Sequence, residues 1–366
     1  MKICELGPKL VAIGFLAAFL QAARAQAPQL VNAKAETRAA SADFSAQLKD
    51  IVRSQEQPAW VGYSVPAVEG NHQMCCGSYN DDEMNVCGAC RLEDQNGSTS
   101  IRTDGSKTSG TVKLEGPQQL VVMLRAEHGM VGRIRTFSED CQLDAGGLPV
   151  VWLTGVSASQ SVAALTEFVT SGTDAEGDNV ANSALVAIAL TGDPSADKAL
   201  ENFVAASQPE KRRERAAFWM GAARGHSGYE ELQKLAREDS SDDLRTKVTF
   251  DLYVSHDPGA TDEIIRMAKD DQSSRVREQA IFWVAQKAGQ KAEATLTAAI
   301  ANDPDTEVKK RAVFGLSQLP RDEGVPLLIQ VAKTNENPAV RKQAIFWLGQ
   351  SHDPRALAFF EEILAR

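Results

Sequence analysis

The chain has no excess of basic residues. Its 39 Lys and Arg are outnumbered by 49 Asp and Glu, which gives a formal net charge of −10 and a pI of about 5.2. Nucleic-acid-binding proteins usually carry a basic excess, so we do not expect nucleic acid as a partner. Aromatic residues are also scarce, at 6%, but 43% hydrophobic and 24% charged residues are typical of a soluble globular protein. The length of 366 residues is too great for one ordinary domain.

Signatures of catalysis are absent from the sequence. It contains no G-x-S-x-G, H-E-x-x-H or G-x-x-x-x-G-K-[ST] motif, which would mark a hydrolase nucleophile, a zinc protease or a phosphate-binding loop. We therefore predict no catalytic residue, no cofactor-binding residue and no catalytic activity of its own.

The sequence also has no apolar run long enough to span a bilayer. The longest, residues 10–20, is much shorter than the ~20 residues that a membrane-spanning helix needs. It follows Lys2 and Lys9 and precedes Ala23-Arg24-Ala25, a pattern typical of a secretory signal peptide. We expect residues 1–25 to be removed after Ala25 and the protein to be exported, either periplasmic or secreted. Cys4 precedes the apolar run, so it cannot be the lipid-bearing cysteine of a lipoprotein.

The residues after this leader predict a linker and then a β domain. Residues 26–57 are rich in Ala, Gln, Ser and Lys and read as a linker with one short helix near 44–52. Residues 58–157 contain short β-branched and aromatic runs bounded by Gly and Pro, which predict a small antiparallel sheet. The predicted strands lie near 60–65, 111–114, 119–124, 131–137 and 150–153. The clearest hairpin flanks Glu127-His128-Gly129, where Gly129 can take the positive φ of a tight turn.

All cysteines after the leader lie in this β domain: Cys75, Cys76, Cys87, Cys90 and Cys141. Their odd number means that they cannot all pair with one another. Disulfide bonding is the favoured interpretation, because an exported protein meets an oxidising environment. A zinc site is the alternative, since the C-x-x-C spacing of Cys87 and Cys90 suits a metal and Cys75, Cys76 or His72 could complete a tetrahedron. A redox role for the same motif is less favoured because no helix start follows it.

Residues 158–366 carry a 32-residue repeat. The residues that define it are Phe218, Phe250, Phe282, Phe314 and Phe346, each 32 positions after the one before. A basic residue stands five positions before each Phe, and an Asp or Asn stands six positions before four of these basic residues. A second apolar register runs between these segments, so each repeat is predicted to contain two helices with apolar residues at i, i+3 and i+4. We count six helix pairs and a final unpaired helix at 354–365.

This period and content resemble the HEAT repeat family, in particular the short HEAT-like repeats of the phycobilisome-lyase type. The motif is clearest in residues 302–312 and 337–344. The resemblance implies a mainly α fold, a HEAT-like α-solenoid preceded by the small β domain, in an exported bacterial protein. It also implies that the second helices line a concave face and that Asp–Arg contacts form a ladder between repeats. The ladder residues are Asp239, Arg245, Asp271, Arg277, Asp303, Lys309, Asn335 and Arg341.

Three tryptophans give candidate partner-binding residues. Trp219, Trp283 and Trp347 follow the repeat Phe at intervals of 64 residues, and the equivalent positions between them hold Asp251 and Gly315. A position that accepts Trp, Asp and Gly is not expected to be wholly buried. The three side chains are therefore predicted either to anchor a partner on the concave face or to pack between repeats.

Two functions follow from these features. The favoured one is an exported HEAT-repeat scaffold or adaptor that binds a protein partner along the concave face. The alternative makes the cysteine-containing β domain a metal-binding or redox module, with zinc at Cys75, Cys76, Cys87 and Cys90 and the repeats as a docking arm. The known enzymes of this fold class are disfavoured: the sequence has no His-Glu dipeptide of the kind that builds a di-iron hydroxylase site, and bilin lyases act on cytosolic proteins.

Overall fold

The computed structural model describes residues 28–70, 73–76, 78–80, 83–85, 90–94, 99–102, 118–172, 179–287 and 290–365. The predicted leader and the predicted strand at 111–114 lie outside these residues, as does Cys87. A β segment comes first and a stack of helices follows it, which confirms the predicted fold class. None of the helices formed by the described residues has the length and apolarity that crossing a membrane demands.

The described strands form one large sheet and three small ones. The strands are β1 Leu30–Val31, β2 Lys34–Ala39, β3 Ala59–Pro66, β4 Gln73–Cys76, β5 Ser78–Asn80, β6 Glu83–Asn85, β7 Cys90–Arg91, β8 Thr99–Arg102, β9 Gln119–Glu127, β10 Met130–Ser138, β11 Leu143–Asp144 and β12 Pro149–Thr154. The large sheet has the order β10-β9-β3-β12-β2. The predicted hairpin is present as β9 and β10, with Gly129 at φ +72° in its turn.

The large sheet is mixed, which corrects the prediction of an antiparallel one. β12 pairs in parallel with both β2 and β3. The cause is helix α1, Phe44–Arg53, which lies between β2 and β3 in the chain and carries it back to the end of the sheet where β2 began. Residues 34–39, predicted as linker, are therefore an edge strand. All six are exposed, so they show no apolar alternation from which a strand could be predicted.

The two faces of this sheet bury different sets of side chains. Val61, Tyr63 and Val65 face α1 and the helical stack, and Phe44 of α1 meets Tyr63 edge to face at 5.3 Å. The alternate residues, such as Trp60 and Trp152, face the small sheet β1-β11-β7. The small sheet, whose strand β7 contains Cys90, thus covers the face of the large sheet that the helices leave free.

Thirteen helices follow within the described residues. They are α2 Ala158–Ser171, α3 Asn179–Ala189, α4 Pro194–Val204, α5 Glu210–Ala223, α6 Gly225–Glu238, α7 Asp242–Val254, α8 Ala260–Asp270, α9 Ser274–Lys287, α10 Gln290–Asn302, α11 Thr306–Gln318, α12 Arg321–Thr334, α13 Pro338–Gln350 and α14 Pro354–Leu364. Taken in order, they make the six predicted pairs and the final unpaired helix. Short polar side chains begin many of them; Asp305, for example, accepts from the backbone N–H of Glu307 at 2.7 Å.

Candidate functional site: the inner helices

The second helices of successive pairs form the inner layer of the stack. From α5 onward, α5, α7, α9, α11 and α13 contact one another along much of their length, whereas the first helices α4, α6, α8, α10, α12 and α14 touch one another at few points. In a curved stack the more closely spaced layer lies on the inside of the curve. We call α5, α7, α9, α11 and α13 the inner helices and α4, α6, α8, α10, α12 and α14 the outer helices.

Three rungs of the predicted ladder are present. In each, an arginine near the start of an inner helix donates to an aspartate in the turn of the following pair, and both side chains are 10% exposed or less. The rungs are Arg213 with Asp239, Arg245 with Asp271, and Arg277 with Asp303. Both N–O distances between Arg245 and Asp271 are 3.0 Å, a bidentate geometry that makes a strong charge-assisted pair.

Each rung also holds the turn that precedes its arginine. Nη1 of Arg277 donates to the main-chain oxygen of Asp271 at 2.8 Å, and the Asp271 carboxylate accepts from the backbone N–H of Ser273 at 2.9 Å. These contacts explain why the aspartate stands six positions before the arginine in each repeat. The arginine side chain must reach both the turn that precedes it and the aspartate in the turn of the next repeat. The hydrogen bond from Arg277 to the Asp303 carboxylate keeps the pKa of the guanidinium above its ordinary value.

Lys309 and Asn335, the ladder residues at the next equivalent positions, do not form a rung. Nζ of Lys309 approaches the main-chain oxygen of Ala301 at 3.4 Å instead. Asn335 keeps only the local contacts: it accepts from the backbone N–H of Asn337 at 3.0 Å, and its main-chain oxygen accepts from Arg341 at 2.8 Å. The physical reason is that a neutral amide replaces the carboxylate and an ammonium replaces the fork of the guanidinium.

A row of aromatic side chains crosses the inner helices. We call it the inner aromatic row; its members are Phe218, Trp219, Phe250, Tyr253, Phe282, Trp283, Phe314, Phe346 and Trp347. In two places the repeat phenylalanines stack directly: Phe218 on Phe250, with ring centroids 6.1 Å apart and planes at 13°, and Phe282 on Phe314, at 6.3 Å and 5°.

Between these stacks a tryptophan is inserted. Trp283 of α9 lies 5.0 Å from Phe250 and 4.5 Å from Tyr253, both on α7. Trp347 of α13 lies 5.1 Å from Phe314 of α11. The inner layer therefore alternates between direct Phe–Phe stacks and tryptophan-filled contacts, with a period of two repeats.

Small residues stand where the stacks are direct. A Cβ on Gly221 of α5 would collide with the main-chain oxygen of Asp251, and a Cβ on Gly315 would lie 3.3 Å from Cβ of Ala285. One repeat further along from Gly221 is Tyr253, which contacts Trp283. The helices thus approach closely at one interface and are held apart by large rings at the next.

This alternation corrects the prediction about the tryptophan position. Asp251 is 2% exposed and Gly315 is buried, so a position that accepts Trp, Asp and Gly is buried between inner helices. The three types are accepted because the spacing of the helices changes with them. All three tryptophans are partly buried, and Trp283 and Trp347 are wedges between neighbouring inner helices. The Nε1 atoms of these two side chains are buried without a hydrogen-bond partner in the described part of the chain.

Two phenylalanines are exposed members of the row, whereas its tryptophans are partly buried. Phe250 is 37% exposed, Phe346 is 53% exposed, and Ile345 beside it is 38% exposed. Sequence reasoning used the phenylalanines to find the repeat but did not propose them as binding residues. The 32-residue recurrence of Phe could have indicated them, because a residue that occupies the same position in every repeat can form part of a binding surface as well as part of the core.

A cavity of about 230 Å³ lies next to Trp347, between α11, α12 and α13. Ser317 lies on its wall, at the position that Tyr253 occupies two repeats earlier. Leu319, Val325 and Leu328 give it an apolar side. The smaller side chain at 317 leaves space here that Tyr253 fills at the equivalent contact between α7 and α9.

Asp251 is a buried carboxyl group in the inner layer. Its Oδ2 atom has no hydrogen-bond partner among the described residues. Burial raises its pKa well above the ordinary value of an aspartate; Lys247 acts against this rise and Glu214 adds to it. Asp251 is therefore held in its neutral, protonated form more readily than an exposed aspartate.

The cysteines are only partly described. Cys90 and Cys141 are fully buried on the same side of the large sheet, and each is disulfide-bonded in the structure. Cys90 belongs to the zinc alternative, and a disulfide-bonded sulfur is not available as a thiolate ligand. Within the described residues, no group of three or more His, Cys, Asp and Glu is arranged to hold a metal ion.

Residues 293–366 match the HEAT repeats family. The match covers α11 to α14 and most of α10. No curated protein is significantly similar to this chain.

Several solved structures are similar to part of this chain. The phycocyanin lyase complex of CpcE and CpcF from Nostoc sp. PCC7120 is 23% identical with a TM-score of 0.33, over 42% of this chain and 99% of that one. Human deoxyhypusine hydroxylase is 16% identical with a TM-score of 0.30, over 56% of this chain and 90% of that one. Kap95p, solved with RanGDP, is 17% identical with a TM-score of 0.37, over 56% of this chain and 31% of that one. At these identities and TM-scores, neither the activities nor the partners of these proteins transfer to this chain.

Proposed function

We propose that this chain is an exported scaffold or adaptor protein that binds a segment of a partner protein along its inner helices and has no catalytic activity of its own. The observation that carries the proposal is the inner aromatic row. It is continuous across five helices, and two of its phenylalanines, Phe250 and Phe346, are exposed. Aromatic side chains concentrate binding energy at protein interfaces, and a stack of repeats offers an extended surface to a bound segment.

Site-specific photo-crosslinking in cells tests the binding surface. A benzophenone amino acid replaces Phe250 in one variant, Phe346 in a second and Leu357 in a third. Leu357 is the matched control, because it is 61% exposed but lies on the outer helix α14. We expect the same protein adduct at Phe250 and Phe346 and none at Leu357, and the purified adduct protein should bind the wild-type chain in solution. Equal crosslinking at all three positions, or none at any, would contradict the proposal.

Export is part of the proposal and rests on the sequence of residues 1–25. The mature protein should be recovered from the cell envelope or the medium with Gln26 as its first residue. Mass spectrometry of the purified protein measures this directly. A protein that keeps Met1 and remains in the cytosol contradicts export and leaves the binding surface to be judged on the crosslinking alone.

The disulfide-bonded state of the β domain belongs to the same proposal. Cys90 and Cys141 should resist alkylation in the denatured, unreduced protein and react after reduction. If all five mature cysteines react without reduction, the disulfide interpretation is wrong. Elemental analysis of the same sample tests the zinc alternative, which requires a stoichiometric metal.

A further inference from the structure

Charge is distributed unequally between the two layers of the stack. The five inner helices carry 14 Lys and Arg but only 7 Asp and Glu. The six outer helices carry 9 Lys and Arg and 13 Asp and Glu. The inner helices are thus basic in a protein whose formal net charge is −10.

The ladder explains only part of the excess. Arg213, Arg245 and Arg277 are neutralised by aspartates in the turns. Lys287 donates to the last main-chain oxygens of α7, at 2.6 Å for Tyr253 and 2.7 Å for Ser255, and burial lowers its pKa. Without these four, ten basic residues remain on the inner helices against the seven acidic ones.

Three of the remaining bases lie beside the inner aromatic row. Lys247 is three positions before Phe250, and Lys342 is three positions before Ile345 and four before Phe346. Residues at these spacings share one face of a helix. Both lysines are exposed, and neither makes an ion pair within the described chain. Arg311, three positions before Phe314, pairs across to Glu278 at 2.7 Å and is 40% exposed.

Charge and apolar surface come closest together on α11 and α13. These two helices carry five basic residues and one acidic residue. They also hold Phe346, the most exposed ring of the row, and line part of the cavity beside Trp347. On these two helices Arg311 lies one turn before Phe314, and Lys342 lies one turn before Phe346.

We propose that the inner helices bind an acidic protein segment that carries bulky apolar side chains. The apolar side chains lie against Phe250, Phe346 and the cavity beside Trp347, and the carboxylates lie near Lys247, Arg311 and Lys342. The inference deepens the proposed function, because it names the chemistry of the segment bound at the same surface. The net negative charge of the outer helices and of the whole chain repels an acidic partner elsewhere, so the inner layer alone attracts it and guides its approach.

Selection from a random-peptide phage library tests the proposal without knowledge of the natural partner. Immobilised full-length mature protein is the bait, and the selected peptides are then synthesised and measured by fluorescence anisotropy. We expect enriched peptides that contain several Asp or Glu together with Phe, Leu, Ile or Trp. Their affinity should fall as salt rises, because exposed charges are screened.

Two charge-reversed proteins give the decisive comparison. The test variant is Lys247→Glu with Lys342→Glu on the inner helices. The control is Lys198→Glu with Lys269→Glu, two exposed lysines on the outer helices α4 and α8. Both change the net charge equally. The test variant should weaken the selected peptides by about 10-fold or more, the effect expected for two reversed interface charges, and the control should bind within about 2-fold of wild type.

The other outcomes distinguish this inference from the proposed function. Neutral peptides that lose binding with Phe346→Ser but not with the reversed lysines would overturn the acidic partner and retain the binding surface. Basic peptides, or retention of a duplex DNA probe by the inner lysines, would also overturn the acidic partner. Selection of no peptide, or of peptides insensitive to both sets of changes, would overturn the two together.

Discussion

Equivalent positions of the inner helices have different structural roles in successive repeats. Asp251 occupies the place of a tryptophan yet is buried against α5, where Gly221 brings the two helices close together. The 32-residue spacing predicts that these positions are equivalent, and they are equivalent in the backbone. What the spacing cannot give is the distance between neighbouring helices, since that distance depends on pairs of side chains from two different repeats.

The protonation of Asp251 should make stability depend on pH. Its pKa in the folded protein is raised by burial, so its contribution is fully present below the unfolded pKa of about 4 and is lost as pH rises through the folded pKa. Asp251→Asn cannot ionise. We expect the melting temperature of this variant to match wild type near pH 4 and to exceed it increasingly as pH rises toward 8. Glu214 and Lys247, the charged groups that act on Asp251, are present in both proteins. A constant difference across this range would show that the pKa of Asp251 is the same in the folded and unfolded protein.

A substitution in the ladder should show how much one complete Arg–Asp rung contributes to the free energy of unfolding. Arg277→Ala removes the partner of the buried Asp303 carboxylate, and breaking a buried pair in this way costs about 3–5 kcal/mol of unfolding free energy. The matched control is Lys309→Ala, one repeat later in the same register. Because the Lys309 rung does not form, its removal should change stability by less than about 0.5 kcal/mol. Urea unfolding of the two variants measures both values, and similar losses would contradict the structural difference between the rungs.

Helices and strands with a periodic pattern of apolar residues could be predicted from the sequence, whereas a strand made of exposed residues could not. The helices of residues 158–366 repeat their apolar positions every 32 residues, and each prediction of a pair reinforces the next. The edge strand β2 has six exposed residues, so only its pairing with β12 reveals it. The pairing of β12 between β2 and β3 is equally out of reach of local sequence, because it joins segments about 90–115 residues apart.

Two glycines at equivalent positions should respond in opposite directions to the same substitution. Gly221→Ala places a methyl group against the main-chain oxygen of Asp251 and should push α5 and α7 apart, costing about 1–3 kcal/mol. Gly349→Ala, in the same position of α13, meets nothing within 4 Å. It should stabilise the protein by about 0.5–1 kcal/mol through helix propensity. Thermal unfolding of the two single variants tests the alternation of helix spacing, and equal effects would count against it.

The molecule as a whole is less divided than its sequence suggests. Composition changes abruptly near residue 158, yet one core runs from the sheet into the helices. The Tyr63 hydroxyl lies 3.0 Å from the Ser161 hydroxyl in that core, and the backbone N–H of Val68 donates to the main-chain oxygen of Leu190 at 2.8 Å. The sheet therefore closes the first end of the stack, as the capping repeats of other solenoids do.

If the sheet is a cap, its removal should loosen the helices nearest to it. A fragment of residues 158–366 leaves Val162, Leu165 and Leu185, all buried in the full chain, without their cover. Since each repeat is stabilised mainly by its neighbours, we expect amide hydrogen exchange to accelerate most in α2 and α3 and progressively less through α5 and α7. Removal of α14 is the matched control and should accelerate exchange only in α12 and α13, which α14 contacts. Unchanged protection of α2 and α3 in the fragment would mean that the helical stack is complete without the sheet, and the sheet would then need a role other than capping.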